Sequence, residues 1–164
     1  MGLGLKIVQI AYGVDDIEVG AAEFQERFGI GPFKFAHHNP VTSPVHAGDP
    51  ATFDHSSAFA QWGELMIELI HVHSASPESL ANKVRTDRPG IHHVSSFAPD
   101  FDAEIERQVS YGHDKILEGR GRSGSRFVFL DATKSLGHII ELYEPTEKLY
   151  SFYALIKERD GKTD

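Results

Sequence analysis

Apolar and polar positions along the chain switch between two periods, and the whole scheme occurs twice. Residues 7–14 carry Ile, Val and Tyr with no breaker before Gly13, which predicts a strand. A helical period follows, with Ile17, Ala21, Phe24 and Phe28 spaced four, three and four. Asp15 or Asp16 stands where an N-cap belongs, Glu18 lies three after Asp15, and Gly29 and Gly31 end the helix. Residues 31–36 predict a second strand. Residues 37–53 hold three prolines, a glycine and three histidines, and predict a long irregular excursion, a lid or wall for a pocket. Strands at 57–62 and 64–72 then turn near Gly63.

Residues 74–89 connect the halves, and Ser76-Pro77-Glu78 predicts a short helix capped by the serine. The second half repeats the scheme. An apolar strand opens at Gly90-Ile91-His92-His93-Val94, Asp100 caps a helix with Phe101, Ile105 and Val109 on one face, and Gly112 stops it. Strands at 115–119 and 125–131 flank a glycine-rich turn, and 136–143 is the last strand. Thr146 caps a terminal helix with Leu149, Phe152, Tyr153 and Ile156 toward one side, and 161–164 is expected to fray.

The chain therefore reads as one α+β domain over 1–164, built of two βαβββ modules at about 5–75 and 90–145 with a terminal helix at about 146–158. Neither half can bury its sheet alone, so the two are expected to form one curved mixed sheet around a cleft. Superposing the halves puts Gln9 where His93 stands and Glu68 where Glu141 stands. Strand alternation puts Val8, Ile10 and Tyr12, with Leu65, Ile67 and Leu69, toward the helices. Gln9, Glu68, His93 and Glu141 then fall together inside the curvature.

The chain has 164 residues, 40% of them hydrophobic and 24% charged, the balance of an ordinary globular domain. With no cysteine, a metal can be held only by imidazole, carboxylate or amide oxygen. The set Gln9, Glu68, His93 and Glu141 suits a divalent ion, with Zn, Ni, Co, Mn and Fe(II) all open. A net charge of −8 disfavours nucleic acid as a partner. No apolar run approaches a membrane span and the start lacks a basic-then-apolar leader, so a cytoplasmic protein is expected.

These four positions resemble the ligand pattern of the vicinal oxygen chelate superfamily, also called the glyoxalase, bleomycin-resistance and extradiol dioxygenase fold, over about 5–145. The order Gln, Glu, His, Glu is similar to that of zinc-type glyoxalase I. Gly90-Ile91-His92-His93-Val94 and Gly137-His138-Ile139-Ile140-Glu141-Leu142 are similar to the methylmalonyl-CoA epimerase-like branch. Where that branch carries Glu-Glu-Gln-Gly, this chain has Ala51-Thr52-Phe53-Asp54, which removes the family's non-ligand base and leaves Asp54 or His55 as substitutes. Glutathione contacts are not matched: Val72 stands where an Asn is expected, and Arg88 lies only near the position of an Arg.

The resemblance implies a metal-dependent isomerase, epimerase or lyase. A divalent ion chelating two vicinal oxygens would stabilise the enolate left when a proton departs the adjacent carbon. Glu141 is the first candidate for the base, as the matching family Glu both binds metal and moves the proton, and Glu68 can mirror it. The substrate would be a small carbonyl compound or an acyl thioester; independently of the resemblance, Arg120, Arg122 and Arg126 around the glycine-rich turn read either as holding a carboxylate or phosphate at the cleft mouth or as a solvated turn. His37, His38, His71 and His73 have chelate-like spacing but read as solvated loops and strand ends, and His92 as a hydrogen-bonded core histidine. An iron(II) oxygenase and a metal-free binding protein are the alternatives; Gln9 argues against the first and the retained ligand set against the second. The apolar load of the terminal helix suggests a homodimer, with packing inside one chain as the competing explanation.

Overall fold

The computed structural model describes residues 4–162; residues 1–3, and residues 163–164 of the segment expected to fray, lie outside the described residues. The first half runs β1 (Ile7–Gly13), α1 (Ile17–Phe28), β2 (Lys34–Ala36), β3 (Thr42–His46), β4 (Asp49–Pro50), β5 (Thr52–Trp62) and β6 (Leu65–Ser76). After the short α2 (Glu78–Val84) come β7 (Ile91–Phe97), α3 (Phe101–Ser110), β8 (Lys115–Arg120), β9 (Arg126–Ala132), a one-turn α4 (Thr133–Leu136), β10 (His138–Tyr143) and α5 (Glu147–Glu158).

Asp16, rather than Asp15, caps α1: its Oδ1 accepts from the N–H groups of Glu18 at 2.8 Å and Val19 at 2.9 Å, which satisfies two of the donors a helix start leaves open. Gly29, at φ 67°, closes that helix in the left-handed region that a Cβ disfavours. Ile17 and Ala21 are buried in a core with Ile10, Tyr12, Ile67 and Leu69. Phe28 instead lies outside, stacked on Trp62, so the predicted stripe turns inward only over its first half. Likewise Phe101 and Ile105 are buried in α3 while Val109 is exposed, and Asp100 makes no side-chain cap.

The strands form one mixed sheet in the order β2-β5-β6-β1-β7-β10-β9-β8-β3-β4. The halves meet where β1 runs antiparallel to β7, and each of these has a parallel neighbour, β6 and β10 respectively. The curled sheet places α1 and α3 on its outer face, over Leu69 and Leu142, and gathers Ala11, Ile70, Phe127, Phe129 and Ile139 on the inner one. The four adjacent central strands β6, β1, β7 and β10 are those that carry the four expected donors.

The segment 37–53 is not irregular throughout. It crosses to the far module, where β3 pairs with β8. Close approach is required there, since a Cβ on Gly119 would lie 2.8 Å from Val41 Cγ1. Buried His46 fastens the crossing, its Nδ1–H donating to the Ile116 carbonyl at 2.6 Å and its Nε2 accepting from the Ser79 hydroxyl at 2.9 Å. The β5–β6 arm also extends to Thr52 and Ser76, well past the expected ends. Ser76 consequently belongs to a strand, with its hydroxyl bonded to Thr52 Oγ1 at 2.7 Å, and Pro77 takes the N-cap position of α2 without a side-chain cap.

The terminal helix α5 packs within the chain. Leu149 and Ile156 are buried, Phe152 meets Phe59 edge-on at 5.0 Å, and Tyr153 meets Phe97 at 4.9 Å. The apolar face that suggested a homodimer is largely covered this way. Among the described residues no helix is long and apolar enough to cross a membrane.

α2 is held against the second module by Lys83 Nζ, 2.9 Å from Asp131 Oδ2. Burial alone would raise the Asp131 carboxyl, but the Thr133 hydroxyl and N–H together with Lys83 hold it at about 2, below its usual 3.8. Such a depressed group stabilises the fold above the unfolded value, and that contribution is lost as pH falls from about 4 toward 2. Asp131→Asn should therefore cost about 1–2 kcal/mol at pH 7 and only a small part of that near pH 2, allowing for the partly exposed lysine. Urea unfolding at the two pH values checks this; an equal loss at both would assign the effect to packing.

Candidate metal centre

Glu68 on β6, His93 on β7 and Glu141 on β10 converge inside the sheet, each offering one ligand atom, with all three atoms within 4.8 Å of one another. All are buried, at 5%, 1% and 4% exposure. His93 Nε2 lies 3.1 Å from Glu68 Oε2 and 3.4 Å from Glu141 Oε1. One oxygen of each carboxylate is fixed by a serine: Ser57 Oγ donates to Glu68 Oε1 at 2.7 Å, and Ser95 Oγ donates at 2.6 Å to Glu141 Oε1, the same oxygen that faces His93.

His92 sets the orientation of His93. Its Nε2 lies 2.8 Å from the Val84 carbonyl, which can only accept, so the His92 proton is on Nε2 and its Nδ1 is an acceptor. His93 Nδ1, 2.8 Å away, must then donate to it, which leaves His93 Nε2 directed at the two carboxylates. This is the outer-shell support that ligating histidines normally have. His92 is thus the hydrogen-bonded core histidine expected, with a partner in the site itself. Burial, reinforced by the charge of His93, lowers its pKa to about 4, which keeps it neutral.

Two buried carboxylates so close repel unless a cation lies between them. Without a metal the cation is His93: burial opposes its protonation, but the charges of Glu141 and Glu68 and the hydrogen bonds to both raise its pKa to about 10. Burial pushes Glu68 upward, yet His93 more than offsets this and holds it below the usual range. Two carboxylate oxygens and one imidazole nitrogen, already oriented and buried, fit a divalent ion.

Gln9, also buried, stands one hydrogen bond from this cluster. Its Oε1 lies 3.0 Å from Ser95 Oγ, and its Nε2 lies 3.0 Å from Met66 Sδ. An inner cavity of about 60 Å³ is lined by the three clustered residues with Phe53, His55, Phe129 and Tyr143. It shares Asn39, Phe59, Gly121 and Tyr143 with an outer cavity of about 320 Å³, lined further by Gln9, Phe35, Phe152 and Tyr153. The crossing segment supplies Asn39, Pro40 and Val41 to the inner wall, the role expected of the 37–53 excursion.

Of the three arginines expected at the mouth, Arg122 lines the outer cavity together with Lys34 and Lys148. Arg120 and Arg126 are cross-strand partners on the side of Val128, which packs under α3, whereas Phe127 and Phe129 face the cleft. Arg126 pairs with Asp102 and Glu144 above the Phe101 ring, and Arg120 donates to the Gly124 carbonyl. His37, His38, His71 and His73 lie apart from the centre, bonded to Glu18, Asp54, the Val14 carbonyl and Ser56 respectively. Among the described residues the Glu68, His93 and Glu141 group is the one with metal-ligand geometry.

Sequence reasoning did not single out Ser57, Ser95, Tyr143 or Tyr153 as parts of the site. Ser95, two residues after His93, was accessible from strand parity; Ser57 depends on the β5–β6 register, which no local pattern sets. The Tyr153 hydroxyl is buried without a hydrogen-bond partner and lines the outer cavity.

A family-wide sequence profile described as "Glyoxalase/Bleomycin resistance protein/Dioxygenase superfamily" matches residues 8–129. No curated protein matches the sequence. Similar solved structures include methylmalonyl-CoA epimerase from Mycobacterium tuberculosis, at 21% identity and TM-score 0.56, over 88% of this chain and 91% of that one. Hypothetical protein BH1468 from Bacillus halodurans C-125 is similar at 21% identity and TM-score 0.58, over 87% and 95%. A Streptomyces coelicolor methylmalonyl-CoA epimerase variant in complex with 2-nitronate-propionyl-CoA follows at 18% identity and TM-score 0.53, over 85% and 97%. At these identities the likeness is one of fold.

Proposed function

The chain belongs to the glyoxalase, bleomycin resistance protein and dioxygenase superfamily, and on that premise we propose that it is a metal-dependent isomerase, epimerase or lyase moving a proton on a carbon beside a carbonyl. The buried Glu68, His93 and Glu141 cluster at the closed end of a cavity carries the proposal. These three, with Gln9 as fourth donor, would hold a divalent ion, which would supply Lewis acidity toward substrate oxygens. Gln9 Oε1 has two lone pairs and the Ser95 hydroxyl engages at most one of them, which leaves the other for this purpose.

Glu141 is the base. Ser95 fixes one of its oxygens, and its carboxylate lines the inner cavity, where it could reach a proton of a substrate bound there. Glu68 is its mirror image in the other module. Phe53, Phe129 and Tyr143 contribute apolar wall to the inner cavity, which favours fixed dipoles over solvent around charge forming on a bound substrate. Arg122, Lys34 and Lys148 around the outer cavity suit an acidic extension, and the likeness to a structure holding 2-nitronate-propionyl-CoA supports an acyl thioester beside simpler 2-oxo and 2-hydroxycarbonyl compounds. A two-histidine, one-carboxylate oxygenase face is not what the cluster offers, since it has one histidine and two carboxylates.

Solvent exchange tests the proposal. Chelator-treated protein and protein reloaded with a divalent ion are incubated in deuterium oxide with a panel of such compounds, followed by NMR. The expected result is loss of the C–H signal of at least one compound only when metal is present. No exchange with metal bound, while a catechol consumes oxygen, would replace the enolate reading by the oxygenase one.

A further inference from the structure

Only 10% of the chain is aromatic, yet five rings stand around the outer cavity: Phe35 from β2, Phe59 from β5, Tyr143 from β10, and Phe152 and Tyr153 from α5. Phe59 and Phe152 meet with their planes 85° apart, so the wall has a corner rather than a flat floor. Phe35 is 41% exposed beside this space, and apolar surface left open on a cavity wall is surface that a ligand can cover. At about 320 Å³ the cavity is at the lower end of small-molecule sites, which run to about 1,000 Å³, so it suits a compact body. Lys34, Arg122 and Lys148 line the same cavity, and no Asp or Glu does. Among the described residues none of these three side chains has an ion-pair or hydrogen-bond partner. In a chain of net charge −8, three unpaired cations converging on one cavity leave a positive rim whose counter-charge must come from a ligand. Gln9, whose amide already faces Met66 and Ser95, Asn39 and Ser123 are the other polar side chains there. The amides of a pantetheine arm would therefore lose water with few partners in exchange.

We propose that the outer cavity recognises an aromatic acid. Its ring packs among Phe35, Phe59 and Phe152, and its carboxylate or phosphate meets Arg122, Lys34 and Lys148. Its carbonyl side chain extends toward the metal cluster, since the inner and outer cavities share Phe59 and Tyr143. Edge and offset contacts between rings favour an aromatic body over an aliphatic one of similar size. A guanidinium can hold a carboxylate or phosphate through two parallel hydrogen bonds. The terminal helix α5 is then the element that sets specificity, because it brings Lys148, Phe152 and Tyr153 to the cavity. That this acid is the substrate rests on the proton-transfer reading of the inner site; that it binds does not.

Calorimetric titration of metal-loaded protein compares 3-phenylpropanoate, phenyl phosphate, hexanoate and phosphopantetheine. An aryl acid should bind about tenfold more tightly than hexanoate, and the tighter of the two aryl acids identifies the acidic group. Arg122→Ala, at an exposed turn residue without a partner, should leave the fold intact and weaken that binding by about tenfold. Phe152→Leu on α5 and Phe35→Leu at the mouth should each remove most of the preference for the ring, and Phe35→Leu does so without disturbing the core. Aryl acids that bind no more tightly than hexanoate, tighter binding of phosphopantetheine, or an affinity that depends on the metal but is unchanged in Arg122→Ala each overturn the assignment and leave the proton-transfer reading intact. Aryl acids that bind as expected, while no ring-bearing 2-oxo acid exchanges its C–H in deuterium oxide, overturn that reading alone and uphold the ligand class.

Discussion

Glu141→Gln should lower solvent exchange of the substrate C–H by about 10³-fold or more while the protein keeps most of its metal. Glutamine has nearly the same size, still offers the ion an oxygen, and still gives the Ser95 hydroxyl an acceptor in place of Glu141 Oε1. What it lacks is a basic carboxylate, so position and electrostatics survive and the proton acceptor does not. Exchange by NMR, with elemental analysis of the same sample, reads the two effects separately. Exchange that continues near the wild-type rate would move the base to Glu68, and metal lost together with exchange would show that Glu141 acts chiefly as a ligand.

His93→Ala should remove bound metal and weaken the metal-free fold by about 3–5 kcal/mol at pH 7, the usual cost of breaking a buried ion pair by deleting one partner. The histidine proton is the cation between Glu68 and Glu141, and without it two buried carboxylates face each other. His92 Nδ1 also loses its donor. Because the folded-state pKa of His93 is raised from 6.5 to about 10, its contribution is fully present below about 6.5 and is lost as pH rises through 10. Urea unfolding of chelator-treated wild type and variant at pH 7 and pH 10 should accordingly show a gap that narrows at the higher pH. Undiminished metal in the variant would place the ion elsewhere, with His37, His38, His71 and His73 the next candidates.

The parts of the site visible in the sequence are those governed by period and repetition. The alternation around Gln9, Glu68, His93 and Glu141 put all four on the inner face because strand parity depends only on local sequence, and the duplication aligned them in pairs. The terminal helix and its Thr146 cap follow from similarly local signals, with Thr146 Oγ1 accepting from the Leu149 N–H at 3.2 Å. What the pattern concealed depends on distant pairing. The stretch 52–56 falls outside the expected strand at 57–62, yet it is a strand because β6 continues opposite it. The crossing of β3 to β8 joins segments about 75 residues apart, and no periodicity encodes it. Arg120 and Arg126 looked like cleft residues because they flank a glycine-rich turn, but the register with Val128 and Phe129 sends them to the other side. His55 could be named only as a substitute for an absent glutamate; its burial beside the cluster, stacked on Phe53, is displayed only by the three-dimensional packing.

The buried cluster as a divalent metal site is the claim on which the rest depends, and calorimetric titration of tag-free, chelator-treated protein tests it most directly. Metal can take the His93 Nε2 lone pair only by displacing the proton that Glu68 and Glu141 hold there up to a pH of about 10. Titrations in two buffers of different ionisation enthalpy should therefore give one ion per chain and release of about one proton per ion at pH 7, with affinity rising as the pH is raised. The absence of saturable binding for manganese, iron(II), cobalt, nickel and zinc, or a binding isotherm unchanged in His93→Ala, would contradict the account.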